Sequence, residues 1–381
     1  MTREIHWLLA AILAVVLMGC RPQPRLIVPA SAERPEPGVV IEEPQTPLIP
    51  FTLANPRSVQ AEISLTFKNV AQLDGELLQR SNRSKGIPDD LPPNLFLWSP
   101  DPVEDLQQKQ VSTRTNVPPD SFFNDYPNAN RFLYWDLKPY LATSSTLELR
   151  RVVRYVSFDL KFEVNPALVG AYETDGYLFR VYTRSEELLE PTADLRALVN
   201  GLVAGIANPY EKAGKIYDWV ADEAEKEALR AASRIAESPN PQASEDASHA
   251  FKFVNLCRIA GVPARTVCGF QINGAGGAFR TWAEFYLPNY GWLPADPGAD
   301  GTARPRRLGR AFFGELPNDR LVLARGINLP IKPSLPWATY NNSDLQKDHV
   351  LLPKPFLIAV SGLRATTDFR FLVLESTQRQ L

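Results

Sequence analysis

The sequence predicts an α+β fold with its strands ahead of its helices. Three observations carry this reading. Residues 59–164 contain short alternating apolar segments with no helical period between them. Residues 192–220 switch to helical spacing behind good cap residues, and residues 246–296 then run helix, tight turn and paired strands. At 381 residues the chain can bury a substantial core and has room for two domains. Its 41 basic and 43 acidic residues nearly cancel, so no nucleic-acid partner held by bulk charge is expected. No cluster has metal-ligand spacing and no motif calls for a cofactor.

The elements follow in order. Arg3 gives a short basic start, residues 7–18 form an apolar run, and Leu17-Met18-Gly19-Cys20 resembles a lipobox. A run of about a dozen residues is too short for a hydrocarbon core of about 30 Å. The motif therefore implies a lipoprotein signal peptide over 1–20 and a membrane anchor through lipid on Cys20. An uncleaved anchor or an ordinary signal peptide is the alternative. Lipidation of this kind implies the bacterial cell envelope, outside the cytoplasm. Arg21 after the Cys leans towards the outer membrane facing the periplasm. Residues 21–57 carry nine prolines between Pro22 and Pro56 and read as an extended tether.

A body of two domains is expected next, a β-sandwich over 58–188 and a second domain over 189–381. Residues 59–68 alternate strictly, with Val59, Ala61, Ile63, Leu65 and Phe67 on one face. Residues 95–98, 132–137 and 146–150 read as further strands. Between 153 and 164 the alternation slips once, which predicts a bulge near Val156 and Ser157. Thr192 can cap a helix whose Leu195, Leu198, Val199 and Leu202 share a face. Asn208-Pro209-Tyr210-Glu211 supplies a cap, Pro at the first helical position, and a following stripe of Ala213, Ile216, Tyr217 and Val220. Residues 356–360 and 369–373 read as closing strands of the second domain.

Residues 246–270 read DASHAFKFVNLCRIAGVPARTVCGF, and residues 279–297 read FRTWAEFYLPNYGWLPADP. This segment resembles the transglutaminase-like core, a papain-like arrangement. In that family a helix carries the nucleophilic Cys, a Gly-Ile/Val-Pro-Ala-Arg turn follows, a His opens a strand, and an Asp lies in a Gly-Trp-x-x-x-Asp-Pro segment. The helix beginning at Asn208 and the strands before it are similar to the family's flanking regions, so the resemblance covers about 58–375.

Carried over residue by residue, the Cys position falls on Asp246, the His position on Arg280 and the Asp position on Asp296. A carboxylate at 246 can cap the helix but cannot replace a thiolate. Arg280 has no lone pair and a pKa above about 12, so it cannot act as a general base. Asp246 and Arg280 nonetheless repeat the signs of a thiolate–imidazolium pair. An ion pair between them is expected, with Asp296 as a second carboxylate on Arg280. Plain drift of two solvated groups is the alternative.

Trp282 and Trp292 match aromatic residues beside the family's cleft. Ser248 and His249, one turn along the same helix, are the remaining nucleophile and base candidates, with His249 read first as a packed or surface helix residue. Cys257 and Cys268 are either a disulfide or two buried thiols.

The function implied is a membrane-anchored transglutaminase-like pseudoenzyme that binds or scaffolds a peptide or envelope partner. The alternative is an active amide hydrolase or acyltransferase with a substituted site.

Overall fold

The computed structural model describes residues 50–84, 88–89, 91–141, 145–235, 245–303, 310–335 and 348–378. Their side chains are described except at 141, 228–235, 245–248 and 301–303. The signal segment, Cys20 and residues 21–49 of the tether lie outside the described residues.

Fifteen strands and seven α-helices are described in chain order. β1 is Phe51–Gln72, α1 Gly75–Ser84, β2 Asn94–Asp101, β3 Gln108–Thr115, β4 Ser121–Asp125, β5 Asn130–Asp136, α2 Lys138–Leu141 and β6 Leu147–Phe162. After a 3₁₀ turn at Pro166–Leu168 come α3 Tyr177–Thr183, α4 Ala193–Leu202, α5 Pro209–Ile235 and α6 Glu245–Ile259. The second half adds β7 Ala264–Asn273, β8 Gly276–Leu287, β9 Gly291–Ala295 and α7 Pro297–Ala303. β10 Glu315–Leu316, β11 Arg320–Arg325, β12 Leu329–Pro330, β13 His349–Val350, β14 Leu357–Ser361 and β15 Leu363–Gln378 complete it.

Two antiparallel sheets face each other in the first half. One runs β10-β6-β1-β15 with β3 also on β6, and the other runs β14-β2-β5-β4. The expected face of β1 is the buried one: Val59, Ala61, Ile63, Leu65 and Phe67 are at most 4% exposed. They share a core with Leu95, Leu97, Phe132, Trp135, Leu149 and Leu357 from both sheets.

Several expectations need correction. β1 begins at Phe51, so the last residues of the span read as tether are strand and pair with β6 from Phe51↔Phe162 onward. The phase slip in β6 is real, but the extra residues sit on its neighbours. Asn55 and Pro56 of β1 oppose Phe158, and Gln110 and Val111 of β3 oppose Tyr155. Asn55 and Gln110 take positive φ of 49° and 54°, as a bulge residue can. The stretch read as free of helices holds α1, a polar helix without an apolar stripe. α1 is held through buried Asn82, whose Nδ2 donates to the carbonyls of Pro88 and Leu91.

The strands read as closing the second domain pair instead with the first. β14 lies on β2, and β15 runs along β1 with Ile63 opposite Phe371.

The helices form as their caps dictate. Thr192 Oγ1 accepts from Leu195 N at 3.3 Å, and Asn208 Oδ1 accepts from Tyr210 N at 2.9 Å ahead of Pro209. Ala213, Ile216, Tyr217 and Val220 of α5 are fully buried. They pack with Phe253, Val254 and Cys257 of α6 against Ala264, Ala283, Phe285 and Leu293 of the sheet β11-β7-β8-β9. The far end of that sheet plugs into the sandwich core, where Phe270 stacks on Phe371 at 4.0 Å between ring centroids.

Candidate functional site

The turn after α6 sets the geometry. Gly261 takes φ of 74°, and Val262 N donates to Cys257 O at 2.8 Å, which ends the helix and launches β7. β7 and β8 then form a hairpin through Gly274, with Arg280 opposite Gly269 and Trp282 opposite Val267. β9 returns beside β8 and delivers Asp296 directly before α7.

Asp246 lies in the first turn of α6, as read from the sequence, but its side chain and that of Ser248 fall outside those described. Arg280 is half-buried on β8. The expected second carboxylate on Arg280 is corrected: Asp296 spends both oxygens elsewhere. Its Oδ1 accepts from Ala299 N at 3.0 Å, capping α7 with Pro297 at the first helical position. Its Oδ2 accepts from Arg320 Nη2 at 2.9 Å. Both members are buried, with side-chain exposures of 4% for Asp296 and 0% for Arg320. The Arg320 guanidinium also lies 5.2 Å from the centre of the Trp282 ring.

Sequence reasoning missed Arg320. The available signal was an arginine opening a strand, RLVLAR, that is otherwise nearly continuous in apolar residues and is buried along its whole length. The Asp-Pro pair was a second signal, since Asp followed by Pro is also a helix start.

His249 is buried at 2% exposure. Its Nε2 lies 2.8 Å from Glu227 Oε2 on α5, and Lys252 Nζ donates to the other Glu227 oxygen at 2.6 Å. A Cβ placed on Gly298 would meet His249 Nδ1 at 3.4 Å and Asp296 Oδ1 at 3.7 Å. The imidazole therefore sits against the start of α7, on the helix side and not on β8. Burial tends to raise the Glu227 pKa, but Lys252 and His249 together hold it below the ordinary value.

The two cysteines are free thiols. Cys257 packs in the helix-facing core and Cys268 in the sandwich core. Burial pushes Cys257 well up and Cys268 up to about 12, so neither is a thiolate near neutrality.

Trp282 and Trp292 line one cavity of about 290 Å³ with Leu106, Leu160, Arg265 and Arg325. Trp282 is only 1% exposed and also touches Arg320, so it stands between this cavity and the Asp296 pair. On the cavity wall, Arg265 lies over Trp292 at 4.0 Å and bonds Glu284 Oε2 through Nε at 2.8 Å. Arg325 bonds Glu284 Oε1 at 3.2 Å and also pairs with Asp105 from the loop before β3. Burial works to raise the Glu284 pKa, but the two guanidiniums overcome it and hold the carboxyl below its ordinary range. Among the described residues no group of three or more His, Cys, Asp or Glu side chains could hold a metal ion, and no helix is long and apolar enough to cross a membrane.

This helix, turn and hairpin lie within a segment of the chain that a family model matches. Residues 196–297 match the model of the transglutaminase-like superfamily, so the chain contains a transglutaminase-like domain. A 96-residue stretch is 32% identical to a protein-glutamine gamma-glutamyltransferase of Pseudomonas aeruginosa, covering 22% of this chain and 14% of that protein. Among solved structures, a candidate cysteine protease from Cytophaga hutchinsonii aligns over 87% of this chain and 94% of its own, at 15% identity and a TM-score of 0.47. The periplasmic domain of TgpA from Pseudomonas aeruginosa aligns over 64% of this chain and 90% of its own, at 16% identity and a TM-score of 0.28.

Proposed function

We propose that this protein is a catalytically inactive transglutaminase-like protein, held outside the cytoplasm by lipid on Cys20, that binds or scaffolds a peptide or envelope partner. The observation that carries the reading is the commitment of Asp296. In a working site that carboxylate orients an imidazole, which in turn activates a thiolate. Here both its oxygens serve a helix cap and a buried arginine. The His position holds Arg280, which cannot accept a proton. The Cys position holds Asp246, and an ion pair of Asp246 with Arg280 remains part of this proposal. The cavity beside Trp282 and Trp292 offers the binding volume, with aromatic walls and a polar rim.

A second reading draws on His249, whose Nε2 is held by Glu227 and whose Nδ1 is buried without a hydrogen-bond partner. In that reading His249 is the base of an amide hydrolase. One assay separates the two. The purified body is incubated with a glutaminyl peptide and hydroxylamine as acceptor, and hydroxamate is measured. No turnover above the protein-free blank is expected. Turnover by the wild type that disappears in His249→Ala would overturn the inactive reading in favour of the second.

A further inference from the structure

The open side of the sandwich carries its own inference. β14 ends one sheet and β15 ends the other, and Gly362, at φ of 59°, joins them. Leu78 of α1 closes the Gly362 end, where a Cβ on that glycine would meet Leu78 Cδ1 at 2.7 Å. Beside this turn a gap of about 390 Å³ opens between the two edge strands and reaches the buried core residues Phe67 and Leu95.

The shape of the gap follows from the register. Phe67 pairs with Thr367, so Leu363, Ala365, Thr367, Phe369 and Phe371 share the core-facing side of β15. The two ends of this row are buried, but Ala365, Thr367 and Phe369 between them are exposed. On the other sheet, Ile358 and Val360 of β14 pair with core residues Leu97 and Leu95 and are only partly buried. A sandwich packed for stability alone would fill this seam with larger side chains.

The chemistry of the ligand follows from the lining. The wall is hydrocarbon except for Ser81, Thr367 and Arg364, and no acidic residue lines it. Arg364 is exposed at the mouth, and among the described residues its side chain has no hydrogen bond or ion pair. The other arginine of β15, Arg370, is held by Asp368 at 2.9 Å. A lone cation at the mouth of an apolar gap selects an anionic head on a hydrocarbon tail. Facing sheets about 10 Å apart leave room for one chain, and one guanidinium takes one carboxylate through two parallel N–H bonds. A peptide threaded into the gap would bury amide groups beside apolar side chains that cannot bond them.

We propose that this seam binds a long-chain fatty acid, with the tail between β14 and β15 and the carboxylate on Arg364. None of its residues belongs to the cavity beside Trp292 or to the Asp296 pair. The proposal therefore does not depend on whether the transglutaminase-like site is active.

The test is calorimetric titration of the protein with laurate below its micelle concentration. Dodecyltrimethylammonium, with the same tail and the opposite charge, is the control. Saturable binding of laurate is expected, at least tenfold tighter than binding of the cationic amphiphile. Arg364→Gln should weaken laurate tenfold or more and leave the cationic amphiphile unaffected. Ala365→Phe, which fills the gap, should weaken both tenfold or more. Arg364 and Ala365 are exposed, so both variants should keep the wild-type melting temperature. The proposal is overturned if laurate does not saturate, if the cationic amphiphile binds as tightly, or if both variants bind laurate like the wild type. Saturation by the blocked peptide acetyl-Leu-Val-Leu-amide in place of laurate would overturn it in favour of a peptide site.

Discussion

Glu284 and Asp296 are carboxylates with side chains only 13% and 4% exposed, one on β8 and one just past β9, and both end on guanidiniums. Glu284 lies between Arg265 and Arg325 and ties the turn after α6 to the loop carrying Asp105. Asp296 has one guanidinium and one backbone N–H, and it ties β11 to the start of α7. The first is a structural brace within a sheet. The second caps a helix, and its contacts are of the same structural kind. The difference teaches that the same carboxylate–guanidinium chemistry braces two arginines in one place and, in the other, holds one arginine while capping a helix.

The comparison can be broken by mutation. Glu284→Ala takes the carboxylate from Arg265 and one of two from Arg325, and should cost about 5 kcal/mol, the upper end for a broken buried pair, in urea unfolding. Asp296→Ala removes one of the two carboxylates on Arg320 together with a helix cap, so a loss of about 3 kcal/mol is expected from the same measurement. If Asp296→Ala unfolds like the wild type, the carboxylate is not structural and the contrast with a catalytic Asp collapses. Removing the Asn208 cap with Asn208→Ala, which also loses the amide's bond to Pro166 O, should cost about 1 kcal/mol in the same measurement.

The smallest effect is with pH. The thiols of Cys257 and Cys268 have folded pKa values above their unfolded value of about 8.5, so their stabilising contribution is complete below that pH. It is lost as pH rises towards the folded value, which for Cys268 is about 12. At about pH 9 the loss should stay under about 1 kcal/mol per thiol. The urea midpoint of Cys268→Ala should fall less than the wild type's between about pH 7.5 and 9. Glu284 acts in the opposite direction, since its folded pKa is depressed. Its contribution is complete above an unfolded pKa of about 4.3 and is lost as pH falls through the folded value.

Much of the fold was legible because local rules and tertiary packing agree. The buried face of β1, the caps at Thr192 and Asn208, and the helix–turn–hairpin around GVPAR follow from periodicity and cap chemistry. Where sequence reading went astray, the deciding partner lay far along the chain. The slip in β6 was visible at Val156, yet the extra residues belong to β1 and β3, which only pairing reveals. The site was half legible. The positions of Arg280 and Asp296 came from the motif, but Arg320, the group that binds Asp296, lies on a strand with no place in that motif.

The pairing of β1 with β15 has a consequence for how the chain is made. Arg57 faces Gln378 and Leu65 faces Phe369 across the ladder. Most of the body must therefore be synthesised before the first strand meets one of its two neighbours. Until then β1 offers a bare edge of unpaired backbone groups to any other chain nearby. Such long-range closure is slow, because loop-closure entropy is spent before the ladder repays it. A nascent body of this design would stay adhesive until its last strand arrives, which makes the edge of β1 the place where a folding helper has most to protect.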